Sequence, residues 1–214
     1  MGSEIFYIIS LITSLSVTLL MVLAAVCTAI VVAVCLRRAF RRYLVRKSEK
    51  YEIWLPVVDD AGHVMGRVAQ SVSEETPGNF QHPLIRMLVR YNKMLYLQPR
   101  SEDALFEPET TDLPIEVLMQ YGDNIDDTML KVRDAYFPDS PKPRFLLKYQ
   151  YENQEGKWLV LLYIIEVSDR KQLKLIKHEG GKLWTARQIF ENQGLGFFSH
   201  ILDGEIAFFK TLLS

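Results

Sequence analysis

Two aspartates in the second half of the chain are the best candidates for metal ligands. Asp127 and Asp134 lie seven residues apart, which on an α-helix is two turns along one face. Carboxylate oxygens are the ligands that Mg²⁺ prefers, so the pair predicts at most one weak cation site. The alternative is that the acids are solvated at the start of the helix or paired with a neighbouring Lys or Arg. The sequence favours this second interpretation.

Other patterns that carry chemistry are not found in the sequence. The four histidines are His63, His82, His178 and His200. None has the spacing of a metal-binding His-x-x-x-His or Glu-x-x-His motif. The only two cysteines, Cys27 and Cys35, lie in an apolar N-terminal segment, so the rest of the chain has no Cys nucleophile and no cysteine zinc site. There is no Gly-x-Ser-x-Gly motif and no complete phosphate-binding loop.

The helix that would carry the two aspartates is predicted over residues 125–136. Asn124 is an expected N-cap, and apolar residues recur at spacings of three and four as far as Pro138. Three strand pairs surround this helix in the sequence, followed by two helices. The expected strand pairs are 51–58 with 63–72, 84–89 with 94–97, and 145–151 with 158–167. The expected helices are 184–190 and 199–213. The order predicts an α+β fold with a mixed β-sheet sandwiched between helices, in which 158–167 is the central strand.

Particular residues within this order suggest a family. The stretch VVDDAGHVMGRV (57–68) resembles a D-x-x-G-x-x-x-G hairpin. His82-Pro83 begins a strand pair that ends in Tyr96, Leu97, Gln98 and Arg100. GKLWTARQIF (181–190) and FFSHILDGEIAFFKTLL (197–213) follow in the expected places. Over about residues 51–214 the chain resembles the Nudix hydrolases, nearest to their isopentenyl-diphosphate-isomerase-like branch. The resemblance implies that Tyr91, Tyr96 and Arg100 border a ligand cleft.

The catalytic signature of that family is not preserved. Its members carry Gly-x5-Glu-x7-Arg-Glu-apolar-x-Glu-Glu-x-Gly, whose glutamates hold Mg²⁺ against a diphosphate. When Arg133-Asp134 is aligned with the Arg-Glu pair, the two metal-binding glutamates fall on Phe137 and Pro138, and the upstream glutamate falls on Ile125. The resemblance therefore implies a degenerate domain that binds a ligand or a protein without a cofactor. Mg²⁺ is expected only if displaced acids, Asp127 and Asp134, replace the glutamates in a hydrolase.

The N-terminal segment predicts a membrane anchor. Residues 5–36 contain no charged residue, and about 20 apolar residues suffice for a helix to cross a bilayer. Residues 37–50 contain seven Lys and Arg, and basic flanks stay on the cytoplasmic side. A cleaved signal peptide would have its basic residues before the apolar run. We therefore expect a single-pass protein of the plasma (inner) membrane. Its N-terminus would be outside, 37–50 would be a basic linker that contacts lipid headgroups, and 51–214 would be cytoplasmic.

The charge of the globular region limits its partners. Residues 51–214 contain 18 Lys and Arg and 24 Asp and Glu, a net charge of −6. Nonspecific binding to nucleic acid requires neutralisation of phosphates, so nucleic acid is not an expected partner. Three hypotheses remain: a membrane-tethered degenerate Nudix-like domain that binds a nucleotide-like ligand or a protein, a hydrolase of nucleoside-diphosphate-linked substrates with displaced acids, and an unrelated α+β interaction domain of an envelope complex.

Overall fold

A computed structural model of the chain describes residues 32, 34–37, 52–102, 107–176 and 180–213. The chain divides into two compact units, Met1–Glu52 and Ile53–Ser214. In the first unit residues 32 and 34–37 are helical. No helix within the described ranges is long and apolar enough to cross a membrane. Most of the predicted anchor and residues 38–50 of the predicted linker lie outside the described residues.

The second unit begins with the predicted N-terminal hairpin. Strand β1 (Trp54–Val58) pairs antiparallel with β2 (Val64–Ala69). The turn is closed by a hydrogen bond of 3.0 Å from the Gly62 amide to the Asp59 carbonyl. The prediction that the second strand continues to residue 72 was wrong: β2 ends at Ala69, opposite Trp54, and one further bond of 2.8 Å runs from the Gln70 amide to the Ile53 carbonyl. Helix α1 (Gln70–Glu75) follows instead.

A seven-stranded mixed sheet forms the centre of this unit. Its strands are β3 (Gln81–Tyr91), β4 (Met94–Pro99), β5 (Thr111–Asp112), β6 (Ile115–Leu118), β7 (Arg144–Asn153), β8 (Gly156–Glu166) and β9 (Lys182–Trp184). The order is β5-β4-β3-β8-β7, with β6 also paired to β3 and β9 to β4. Only β3 and β8 run parallel. The predicted mixed sheet is confirmed. The prediction that 158–167 is the central strand was wrong: β8 lies between β3 and the edge strand β7, and β3, which pairs with β4, β6 and β8, is central. β5, β6 and β9 were not predicted as strands.

Helices cover both faces of the sheet. They are α2 (Ile125–Tyr136), α3 (Ala186–Asn192) and α4 (His200–Leu213), and a 3-10 helix spans Arg170–Ile176. Consecutive residues of β3 point to opposite faces, so that Met87 packs in the core with Met129 of α2. Leu88 packs in the other core with Leu202 of α4. The predicted sandwich of helices around the sheet is therefore confirmed.

The helix boundaries follow from their caps. Asn124 accepts hydrogen bonds from the backbone amides of Asp126 and Asp127, at 2.9 and 3.2 Å, as the sequence predicts. Helix α3 starts two residues later than predicted, because Trp184 belongs to β9 and Thr185 forms a capping box with Gln188.

The cap of α2 generates a prediction. Replacing Asn124 with Ala should lower the free energy of unfolding by about 1 kcal/mol, because two backbone amides lose their acceptor. Urea unfolding of the full chain measures this change. The control is Lys131→Ala, at an exposed position within the same helix, which we expect to change the free energy by less than about 0.5 kcal/mol. Equal stability of the two variants would contradict the role assigned to the cap.

Candidate functional site

The two candidate metal ligands lie on the solvent side of α2. Asp127 and Asp134 are both exposed, and Asp134 accepts hydrogen bonds of 2.9 and 2.6 Å from the guanidinium of Arg133. Seven residues of helix separate their Cα atoms by about 10.5 Å along the axis. Oxygens that share one Mg²⁺ lie within about 4 Å of each other. Within the described part of the chain, no group of three or more His, Cys, Asp or Glu is placed to hold a metal ion.

The residues at the end of α2 pack in the hydrophobic core and do not form a group of metal ligands. Phe137 follows the last helical residue and is completely buried, in the same core as Met129 and Val132. Its amide donates a hydrogen bond of 2.6 Å to the Arg133 carbonyl, which closes the helix. Pro138 comes next and has no side-chain ligand atom. The residues present at these positions therefore do not fit the Mg²⁺ that the resemblance implies.

The three candidate ligand residues are not brought together. Tyr91 pairs with Met94 beside the turn between β3 and β4, whereas Arg100 follows the far end of β4. Six residues of strand correspond to about 20 Å. Tyr96 lies between them, 7% exposed, in the core beneath α2, and burial raises the pKa of its hydroxyl. Arg100 lines two cavities, which are described below.

A buried ionic cluster lies on the other face of the sheet. Arg86 of β3 is fully buried and donates to Glu205 of α4 at 2.9 and 3.1 Å and to Asp112 of β5 at 2.6 Å. It also forms an ion pair with Glu116 of β6. Tyr149 of β7 donates to Glu205 at 2.5 Å. One guanidinium thus joins four elements, three strands and one helix.

The charges in this cluster depend on one another. Burial opposes the charged form of Arg86, but Asp112 and Glu205 outweigh that effect and raise the pKa of the guanidinium. Burial raises the pKa of Glu205, and Arg86 partly offsets the rise. Burial and the neighbouring Glu205 carboxylate raise the pKa of Tyr149, so its hydroxyl keeps the proton that it donates. The carboxylates thus keep Arg86 charged, and Arg86 in turn partly offsets the effect of burial on Glu205.

Two small cavities adjoin this cluster at Arg100 and Glu116, with volumes of about 130 and 220 Å³. Arg100 contacts Asp112 at 3.2 Å and Glu155 at 3.9 Å, and burial raises the pKa of the Glu155 carboxyl. Typical ligand sites are larger, from about 300 to 1,000 Å³. Because carboxylates already engage Arg100, its charge is not available to an anionic ligand. We interpret this cleft as the outer part of the ionic cluster.

The large cavity lies at the start of α2, between the β1–β2 hairpin and the face of β7 and β8. Its volume is about 620 Å³, within the range of small-molecule sites. Seventeen residues line it, and only three of them carry a charged or amide side chain: Gln120, Asp123 and Lys148. This cavity, which we call the hairpin cavity, is the candidate functional site.

The hairpin cavity has a buried floor and an exposed mouth. Leu159 and Val58 are 2% and 6% exposed at the floor, whereas Val64 and Phe145 are 58% and 47% exposed at the mouth. The glycine at position 122, φ +97°, makes the turn between the sheet and α2, a conformation that favours glycine. The cavity is therefore open to ligands from solvent.

Few polar groups face the hairpin cavity. Lys148 donates a hydrogen bond of 2.5 Å to the Ala61 carbonyl. Asp123 accepts one of 2.9 Å from the Gln120 amide. No predicted site residue lines the cavity. The sequence signal that could have indicated it is the adjacent apolar pair Val64-Met65 in β2, which breaks the alternation expected of a strand with one solvated face.

Comparison with known proteins supports the fold. No family model and no curated protein matches the sequence. Among solved structures, the crystal structure of DR0079 from Deinococcus radiodurans matches with a TM-score of 0.55 and 12% identity, over 72% of this chain and 97% of that chain. A MutT protein from Methanosarcina mazei Go1 matches at a TM-score of 0.45 and 13% identity, over 60% and 92%. A NUDIX hydrolase from Nitrosomonas europaea matches at 0.45 and 10%, over 59% and 86%.

The fold of the second unit is therefore similar to that of the DR0079 structure. At 12% identity the similarity concerns the fold and not the activity. The third hypothesis, an unrelated interaction domain, required that no mixed sheet flank helix 125–136, and it is not favoured because the sheet is present.

The buried cluster generates a prediction. Arg86→Met should lower the free energy of unfolding by about 3–5 kcal/mol, because Asp112 and Glu205 keep their burial and lose their cation. The matched control is Arg90→Met on the same strand. Arg90 is 25% exposed and pairs with the 46% exposed Glu166, so we expect a loss of about 1 kcal/mol or less. Urea unfolding measures both.

The same variant should have a pH dependence of defined sign. Without Arg86, the pKa of Glu205 in the folded state rises further above its value in the unfolded chain. When the pKa of a carboxyl group is higher in the folded state than in the unfolded state, the folded state binds its proton more tightly. The free energy of unfolding then falls as the pH rises from the unfolded pKa to the folded pKa. The stability of Arg86→Met should therefore fall between about pH 5 and pH 8 relative to wild type. A pH-independent difference would contradict this account of the cluster.

Proposed function

We propose that the chain is a membrane-tethered, catalytically degenerate Nudix-like domain that acts by binding. The observation that supports loss of catalysis is the burial of Phe137, at the position where the resemblance expects a metal-binding glutamate. The outward orientation of Asp127 and Asp134 supports it further. The isopentenyl-diphosphate-isomerase-like branch remains the proposed nearest relative, on the basis of residues 57–68 and 82–100.

The binding role is assigned to the hairpin cavity. It is open to solvent, it has the volume of a ligand site, and its lining contains few groups that are already engaged in ion pairs. These properties distinguish it from the cleft at Arg100, where the guanidinium already forms ion pairs with carboxylates. A protein partner that covers the exposed mouth is compatible with the same surface.

Tethering is proposed from the apolar segment 5–36 and the basic linker 37–50. This topology places the N-terminus outside and the Nudix-like domain in the cytoplasm. The positive charges would lie at the cytoplasmic headgroups, where each contributes about 1 kcal/mol to lipid binding. The linker would hold the domain close to the lipid surface.

The loss of catalysis is tested with a library of nucleoside-diphosphate-linked compounds. We expect the full chain to release no phosphate or nucleoside monophosphate when Mg²⁺ is added, because the ligand set for the ion is missing. The variants Asp127→Asn and Asp134→Asn should behave like wild type. Any Mg²⁺-dependent release by wild type contradicts the proposal, and loss of that release in both variants would identify a hydrolase with displaced acids.

The topology is tested with single cysteines. Starting from a chain in which Cys27 and Cys35 are replaced by Ala, Ser3→Cys should react with a membrane-impermeant maleimide added to intact cells. Ser48→Cys should react only after lysis, because the basic linker is cytoplasmic. Both chains should stay with the membrane at alkaline pH. Release of the chain by alkali, or labelling of Ser48→Cys in intact cells, contradicts the proposed anchor.

A further inference from the structure

We propose that the hairpin cavity takes the acyl chain of a single-chain anionic amphiphile, with the anionic head group at Lys148. This inference rests on the binding role proposed above and names the class of ligand. The head group is a carboxylate or a phosphate, and the experiment below distinguishes the two.

The lining determines the chemistry of the ligand body. Fourteen of the seventeen lining residues are apolar, aromatic or glycine. The edges of a nucleotide base would leave their hydrogen-bonding groups without partners against such walls, which is costly. A hydrocarbon chain has no such groups, and its transfer from water to the cavity is favourable in proportion to the apolar area buried. The lining therefore favours a ligand whose buried part is a hydrocarbon chain.

The gradient of exposure determines how the chain enters. The floor, at Leu159 and Met119, is 2% and 3% exposed, and the mouth at Val64 and Phe145 is about half exposed. An acyl chain that enters by the mouth covers these exposed side chains and extends towards the floor. Its head group stays at the rim, where water completes its solvation.

Basic groups at the rim determine the charge of the head. The ammonium of Lys148 is exposed, and its nearest acceptor is a neutral carbonyl, that of Ala61. The guanidinium of Arg67 lies 5.4 Å from the ring centre of Tyr121, which lines the cavity. The acidic side chain in the lining, Asp123, accepts a hydrogen bond from the Gln120 amide. An anionic head thus meets an ammonium that no carboxylate neutralises in the lining.

The proposed membrane anchor would raise the rate at which the hairpin cavity meets amphiphiles of the membrane. A domain held near a bilayer by a short linker experiences a high effective concentration of membrane amphiphiles. Single-chain amphiphiles leave a bilayer more readily than a spanning helix, since one acyl chain gives only marginal, reversible membrane binding. The ligand class and the proposed location are therefore mutually consistent.

The experiment uses the full chain in phosphatidylcholine vesicles with a photoactivatable fatty acid as probe. Crosslinks should map to peptides of β1–β2 and β7–β8. A homologous series of saturated fatty acids should compete with the probe up to the chain length that fills the cavity, and longer chains should compete less well because they do not fit. Crosslinks confined to residues 5–36, or competition that does not depend on chain length, would overturn the proposal.

Neighbouring residues of β2 supply a matched pair of variants. Val64 lines the cavity and Met65 does not, and they are 58% and 71% exposed, so that aspartate is tolerated by the fold at either position. Val64→Asp should reduce crosslinking to β7 and β8 about tenfold, because it places a charge in the apolar mouth. Met65→Asp should leave it unchanged. Equal crosslinking in the two variants would overturn the proposal.

The head group is tested by Lys148→Gln and by three competitors of equal chain length. The substitution should weaken competition by a fatty acid about tenfold, because a charged hydrogen bond is lost. It should leave competition by the fatty alcohol unchanged. A lysophosphatidic acid that competes better than the fatty acid assigns a phosphate head, and the reverse order assigns a carboxylate. An alcohol that competes as well as both acids in wild type would overturn the anionic head.

Failure of this inference is distinguishable from failure of the proposed function. If the chain floats with vesicles and hydrolyses nothing but the cavity is not crosslinked, only the ligand class is wrong. If the chain does not float with vesicles, the tether is wrong. The same probe added in solution then still tests the cavity.

Discussion

The burial of one guanidinium constrains the whole face of the sheet that α4 covers. A fully buried arginine is tolerated only if carboxylates offset the loss of its hydration, and here they come from separate elements, Asp112 on β5 and Glu205 on α4. Glu205 in turn accepts a hydrogen bond from the hydroxyl of Tyr149 on β7. The short strand β5, the last helix and the edge strand β7 must therefore all be in place before any of these charges is satisfied. This interdependence makes the α4 face cooperative.

The opposite face is stabilised in a different way, and the difference bears on function. Beneath α2 the contacts are apolar, and the helix ends with Phe137 in the core. Burying a phenylalanine is favourable by about 1.5–3 kcal/mol, whereas metal-binding glutamates at this point would have to remain solvated or coordinated. A helix end optimised for packing is thus incompatible with a cluster of acids at the same place. The hairpin cavity on this face lies at the other end of α2, where the chain turns at Gly122.

Local patterns were sufficient for most of the fold and insufficient for the site. The caps and spacing around Asn124 predicted α2 correctly, because hydrogen bonds two and three residues apart define that cap. The strands β5 and β6 were missed, since strands of two and four residues carry little local pattern and are stabilised by pairing with β4 and β3. Arg86 lies within the apolar run of β3, but local patterns did not predict its ion pair because its partner Glu205 is 119 residues away. Spacing placed Asp127 and Asp134 on one face of α2, but it did not predict that Arg133 already engages Asp134.

The hairpin cavity illustrates why a binding site is harder to predict than a fold. Its walls come from β1, β2, the turn before α2, β7 and β8, and no two of its polar residues form a motif in the sequence. The cavity exists because the two-stranded hairpin is a separate sheet that adds no strand to the central one, so that side chains of both sheets line a space that neither fills. The lining contains neither Asp127 nor Asp134 of α2. The shape and the polarity of the cavity therefore do not depend on those two acids.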